Sequence, residues 1–224
     1  LGRGSLEGRP AREHFVHHAG QTVHVGAGIQ LLLAASLLGA HIGLGTRREI
    51  ELPAQGAGKD LGVELPGGLP YQPWLATLVK ERWAKNAVDD PRVRCFPDNF
   101  IRAYGTPHLL KFAQMPGLLI VLNEWNAGYG QIHTDGRPLP EDPNPSLMGY
   151  SSAIWDGDTL VVDTNGVRDD TWIDWQGSVL TEAAKVREEL RRTDFGHMEI
   201  RVTVDDSKAY TKPWTVTIKE RLIA

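Results

Sequence analysis

The sequence predicts a mainly β protein: an antiparallel meander closing into a barrel or sandwich, with one amphipathic helix and an apolar N-terminal segment. Three observations carry this. From Leu109 onward, apolar residues alternate with polar ones at period 2, the repeat of a half-buried strand. The turn pair Asp135-Gly136 ends one such run, and Asp156-Gly157 reads as a hairpin turn between two others. Period 3.6 is clear in one segment, which opens at Pro73.

The elements follow in order. No Asp, Glu, Lys or Arg occurs from Phe15 to Thr46, although 23% of the chain is charged. Arg3, Arg9 and Arg12 precede that stretch, and Arg47 and Arg48 follow it. Three readings stay open. As a membrane anchor or membrane-surface helix, Thr22 to Gly45 is long enough to cross a bilayer with some tilt, and its flanking arginines favour a cytoplasmic N-terminus with the rest exported. Membrane or partner contact would then fall on Ile29, Leu32, Leu33, Leu37, Leu38 and Ile42. As a dinucleotide turn, Gly26-Ala27-Gly28 lacks the third small residue, because Leu31 stands in its place. As an ordinary buried element, the stretch packs on the main domain. His14, His17 and His18 just ahead form an H-x-x-H-H cluster that can hold a transition metal on one helix face, but solvated histidines explain it as well.

Gly56 to Pro70 reads as a linker. Behind it, Trp74, Leu75, Leu78, Val79 and Trp83 define one face of a helix whose other face carries Lys80, Glu81, Arg82 and Lys85. Turns are expected at Asp89-Asp90-Pro91 and Phe96 to Asn99. Strands are then expected at Leu109–Gln114, Leu118–Trp125, Tyr129–Thr134, Tyr150–Trp155, Asp158–Thr164, Glu182–Arg192, His197–Val204 and from Trp214 on. The Pro-rich loop Pro138 to Pro145 interrupts the series. The organisation is thus an N-terminal arm (1–55), a linker with the helix (56–106) and a β domain (107–224).

A formal charge of −4 gives no basic footprint for nucleic acid. The single cysteine, Cys95, leaves no internal disulfide and no multi-cysteine zinc site, and neither a metal nor a cofactor is expected. Asp156, Asp158 and Asp163 lack the loop length and closing Glu of a calcium site and read as turn and strand-end residues. Asp135, Glu141 and Asp142 flank Arg137, with Glu124 on a neighbouring strand; such carboxylates can do acid–base work, although charged residues at strand ends need no such reason. Nothing pairs a Ser or Cys with a His as a nucleophile. Seven tryptophans are many for this length. Trp155, Trp172 and Trp175 with Tyr150 form the densest aromatic group, fit for a core, a cavity mouth or an interface. Together with Arg137 they are the candidate partner- or ligand-binding residues.

Several motifs resemble, in order, a family of exported bacterial proteins: Gly68-Leu-Pro-Tyr-Gln-Pro-Trp74, Gln114-Met-Pro-Gly-Leu118, Thr134-Asp-Gly-Arg-Pro138, Asp142-Pro-Asn-Pro-Ser146, Trp155-Asp-Gly-Asp-Thr-Leu-Val-Val162 and Ala209-Tyr-Thr-Lys-Pro-Trp214. The resemblance covers roughly residues 61 to 222. It implies export beyond the cytoplasmic membrane and a β-rich domain, and assigns no catalytic residue. The first 55 or so residues depart from that family's usual opening. The expected function is a non-enzymatic accessory or scaffolding subunit of a membrane protein complex, periplasmic or at the extracytoplasmic membrane face, with respiratory and photosynthetic complexes as plausible hosts. The alternatives are a small-ligand-binding β-barrel and, behind it, a barrel-type cyclase or isomerase.

Overall fold

The computed structural model describes residues 61–222 and the backbone of a short strand, β1, at Thr46–Arg48. The predicted apolar segment with Ile29, Leu32, Leu33, Leu37, Leu38 and Ile42, the Gly26–Gly28 turn and the histidine cluster lie outside the described residues. Among the described residues no helix is long and apolar enough to cross a membrane.

The chain is mainly β, as the period-2 pattern requires. Its strands are β2 (Leu110–Met115), β3 (Leu118–Asn123), β4 (Tyr129–His133), β5 (Tyr150–Asp156), β6 (Thr159–Asn165), β7 (Thr171–Trp172), β8 (Val179–Leu180), β9 (Lys185–Arg192), β10 (His197–Asp205) and β11 (Trp214–Leu222). Eight of them form one curled sheet in the order β11-β10-β9-β6-β5-β4-β3-β2, a half-barrel, while β7 and β8 pair apart as a small hairpin. The edge strands β2 and β11 do not pair with each other. β1 lies against three residues of β11 and meets β2 only at Thr46–Leu110.

Two expectations need correction. The sheet is mixed rather than antiparallel, because β4 and β5 run parallel at Ile132–Ser151 and His133–Ser152. The reason lies in the Pro-rich loop. A parallel neighbour needs a crossover of about a dozen residues or more, and the chain between His133 and Tyr150 supplies it. The strand order is also not a simple meander, since β6 pairs with β9 and the β7–β8 hairpin is an excursion between them.

The predicted helix is α1 (Pro73–Ala84), started by Pro73 in its first turn. Its inward face is Leu75, Val79 and Arg82; Trp74 and Trp83 are about half exposed. The aliphatic members of the predicted face therefore point inward while its two tryptophans lie half outside, and one of the expected surface cations points in. A second helix, α2 (Phe100–Tyr104), follows the turn expected at Phe96 to Asn99. Asn99 caps it, its side-chain oxygen accepting the Arg102 N–H at 2.9 Å. Likewise Asp90 accepts the Arg92 N–H and starts a 3-10 turn at Pro91–Arg94. The predicted turn residues at 89–91 and 96–99 thus start helical segments, because Asp and Asn satisfy the first free N–H groups of a helix as readily as those of a turn.

All five residues of α2 are buried, so it acts as a plug between the half-barrel and the loops above it. Phe100 stacks with Tyr104 at 6.3 Å between centroids and lies directly over Gly130 of β4. A Cβ at Gly130 would stand 2.1 Å from Phe100 Cζ, so only glycine fits there. The core runs along the inward faces of the strands, with Leu119, Ile132, Leu160, Val162, Ile200 and Val202 among its members.

Candidate functional site

Trp172 and Trp175 do come together, and arginines bring them. The Arg82 guanidinium lies 4.4 Å from the Trp172 centroid, and Arg102 lies 5.5 Å from the same ring. Arg102 is also 5.9 Å from Trp175, which meets Arg92 at 4.4 Å; Arg92 in turn reaches Trp125 at 5.1 Å. Cations and indoles therefore alternate through six residues drawn from α1, the Pro91–Arg94 turn, α2, the 170s loop and Trp125 after β3. Planar guanidinium suits this, because it stacks on a ring while its edge N–H groups stay free to hydrogen-bond.

Those edges are used. Arg102 makes a two-point contact with Asp90, and Arg92 a two-point contact with Asp98, all four side chains being largely buried. Arg82 donates to Asp89, to Asp170 at 2.7 Å and to the Gly177 carbonyl at 2.8 Å. Burial alone would push the Asp90 carboxyl up. Hydrogen bonds from Arg102 and the Arg92 N–H, with the charges of both arginines, override it and hold Asp90 below the usual carboxylate range. Asn99, which caps α2, also donates to the Trp172 carbonyl at 2.7 Å and so ties the plug helix to the loop. Asp174 accepts three consecutive N–H groups, from Gln176 to Ser178, and fixes the turn that holds Gly177 at φ +89° beside Arg82. Each of the three arginines thus faces at least one carboxylate, and the lattice works as a brace.

The other sequence candidates lie elsewhere. Arg137 is exposed and bonded to its own neighbour Asp135, which it holds at a pKa of about 2. Tyr150 and Trp155 sit at opposite ends of β5, Tyr150 exposed and Trp155 packed against the core. Arg137, Tyr150 and Trp155 are not joined to Trp172 and Trp175 in one site. Asp158 and Asp163 are paired with Arg191 and Arg187, respectively. Among the described residues no three His, Cys, Asp or Glu side chains converge as a metal set.

Two features escaped the sequence reading. The first is an acid inside the half-barrel. Glu188 lies at an inward position of β9, between Val162 and Val202 on the neighbouring strands, and is almost fully buried. Desolvation raises its pKa to about 8, and only the Tyr104 hydroxyl directed at it works the other way. Glu220 of β11 adds negative charge nearby, and Tyr104 is itself pushed well above the usual phenol value by burial and by both carboxylates. Glu188 lines a cavity of about 20 Å3 with Phe100, Ile101, Met148 and Val167, room for about one water. Alternation at Val186-x-Glu188-x-Leu190 was the available signal: a charge at an inward register position.

The second is the outer face of β2, β3 and β4. Outward positions of β3 are Leu118, Ile120 and Leu122, all aliphatic. Met115 pairs with Leu118, Ala113 with Ile120, and Leu122 with Tyr129, which is 60% exposed. On the opposite side of the same sheet, outward positions carry Arg187, Glu189 and Arg191 on β9, Glu199 and Arg201 on β10, and Thr217 and Lys219 on β11. A sheet with one face in water should read polar on that face along its whole width. Along β3 this one does not, although Lys111, Gln131 and His133 flank that aliphatic row on β2 and β4.

Comparisons with protein families, with curated proteins and with solved structures find no match to this chain.

Proposed function

We propose that this chain is a non-enzymatic accessory or scaffolding subunit of a bacterial membrane protein complex, held on the extracytoplasmic side. The observation that carries the reading is the aliphatic outer face of β3 with its neighbours Met115 and Tyr129. Contiguous exposed apolar surface on a folded domain favours a protein partner, whose contact removes that surface from water. The brace of arginines and tryptophans supports the same reading, because rigid presentation of a surface lowers the entropy lost on docking. Export and membrane attachment rest on the motif resemblance and on the uncharged stretch at 15–46. Respiratory or photosynthetic complexes are the hosts this reading favours.

The test is site-specific photocrosslinking from Leu122 in native membranes, followed by identification of the adduct. An adduct with an integral membrane protein is expected. Complete recovery of an uncrosslinked monomer in a detergent-free extract would overturn the reading.

A second reading, a small-ligand barrel or a barrel-type cyclase or isomerase, is favoured by Glu188 alone. A carboxylic acid kept neutral in an apolar site can donate a proton or a hydrogen bond to a bound carbonyl. The described cavity beside it holds about one water, which ranks this reading second.

A further inference from the structure

An open groove of about 540 Å3 runs between α1 and the β7–β8 hairpin, within the size range of ligand clefts. Trp74, Leu78 and Arg82 line one wall at helical spacing. Val179 and Thr181 line the other, and Asp169, Asp170 and Lys208 complete the rim. The Trp74 indole N–H donates to the Lys208 carbonyl at 2.8 Å, yet the residue is 47% exposed. Its ring is therefore pinned by one edge with much of its surface open.

The polar groups at this groove differ in what they have left to offer. Arg82 is spent on Asp89, Asp170 and Gly177, and the Thr181 hydroxyl on Asp206. Lys208 reaches Glu182 at 2.8 Å. Asp169 accepts the Glu182 N–H, which fixes its carboxylate at the rim. Four carboxylates, Asp89, Asp169, Asp170 and Glu182, thus stand around two cations, Arg82 and Lys208. The excess is negative, and the wall beside it is aromatic and aliphatic.

We propose that this groove binds a basic side chain of a partner peptide, its methylene stem along Trp74 and Leu78 and its charged head at Asp169 and Asp170. A cation gains from the indole face as well as from the carboxylates, and an aliphatic stem is what separates such a side chain from a bare metal ion. Asp89 and Asp170 already pair with Arg82, and Glu182 with Lys208, so it is the net negative charge of the six groups, with Asp169 at the rim, that favours a cation over an anionic occupant. The groove shares no residue with β2, β3 or β4, so this inference stands or falls separately from the docking reading.

The experiment titrates the full chain with the capped pentapeptide Gly-Gly-Lys-Gly-Gly, following backbone amide shifts at residues 74–82 and 169–181. The same peptide with norleucine in place of lysine and free spermidine form the other arms. Saturable shifts with a Kd of about 1 mM are expected for the lysine peptide, weakening as salt is raised. Asp169→Asn should weaken binding about fivefold while retaining an acceptor for the Glu182 N–H, and Trp74→Phe should retain most of it. Circular dichroism of both variants checks that the fold is intact. Equal binding of the norleucine peptide would overturn the role of charge. Binding of spermidine without binding of the peptide would overturn the peptide assignment. Absence of shifts at about 10 mM peptide would overturn the site itself.

Discussion

The guanidinium of Arg82 stacks 4.4 Å from the ring of Trp172 while its N–H groups hold Asp89, Asp170 and the Gly177 carbonyl. One side chain of α1 thereby fixes both the tryptophan and the turn behind it. The spacing of Arg82 from Leu75 and Val79 puts it on the inward face, unlike the exposed Lys80 and Lys85. What lets a cation stay there is the loop from Asp169 to Ser178, which supplies a ring and two acceptors in the directions a planar fork can reach.

Removing a partner from the brace should be expensive. Arg102→Ala leaves Asp90 buried without its two-point contact, and an uncompensated buried charge costs about 3–5 kcal/mol. Arg102→Lys should recover only part of it, since an ammonium neither stacks like guanidinium nor bonds at two points. Urea denaturation at neutral pH measures both, with the m-value reporting any change in the unfolded state.

Gly177 is the tightest point of that turn. Its φ of +89° disfavours any side chain, and a Cβ there would lie 2.5 Å from Arg82 Cδ and 3.1 Å from the Trp172 ring. Gly177→Ala should therefore destabilise by roughly 1–3 kcal/mol, and more through Arg82 than through the backbone. A double-mutant cycle with Arg82→Ala, read by thermal unfolding, should show non-additivity because Arg82 is the atom neighbour that must move.

Glu188 and Asp90 give the stability opposite slopes at different pH. Glu188 has its folded pKa raised from 4.5 to about 8, so the folded state holds a proton that the unfolded state releases. Its contribution is complete below pH 4.5 and is lost as pH rises towards 8, an effect on the order of 5 kcal/mol. Asp90 is depressed, so its contribution is present above 3.8 and is lost as pH falls below that value. Stability should peak near pH 4–5, between these windows. Glu188→Gln should flatten the upper limb while leaving the acid limb in place, as followed by chemical denaturation from pH 3 to 9.

The outer sheet face should separate stability from assembly. Ile120→Lys and Leu122→Asp alter positions already in partial contact with water, so each should change stability by no more than about 1 kcal/mol. Under the docking reading, each should abolish co-purification with the membrane partner. Retention of the partner by both variants with the fold intact would count against that face.

Much of the fold was legible because local rules are obeyed. Alternation placed each strand of the main sheet within a few residues, Pro73 marked the start of α1, and Asp156-Gly157 marked the hairpin between β5 and β6. Segments ruled by capping were not: Asp90 and Asn99 look the same at a turn and at a helix start, and the difference is whether the following residues find a core. Phe100 to Tyr104 found one over Gly130. Of the five candidate binding residues, Trp172 and Trp175 share an environment, while Arg137, Tyr150 and Trp155 are separated by sheet geometry that no spacing along the chain encodes.

By itself the sequence determined the β class, the strands and the helix that opens at Pro73, since hydrophobic period and turn chemistry act over a few neighbouring residues. Only the tertiary structure decided that β4 and β5 run parallel, that Arg82, Arg92 and Arg102 are buried among indoles, and that Glu188 is enclosed. The physical reason is one of range. A residue's period states which side it faces, but the charge, ring or solvent waiting on that side comes from chain tens of residues away.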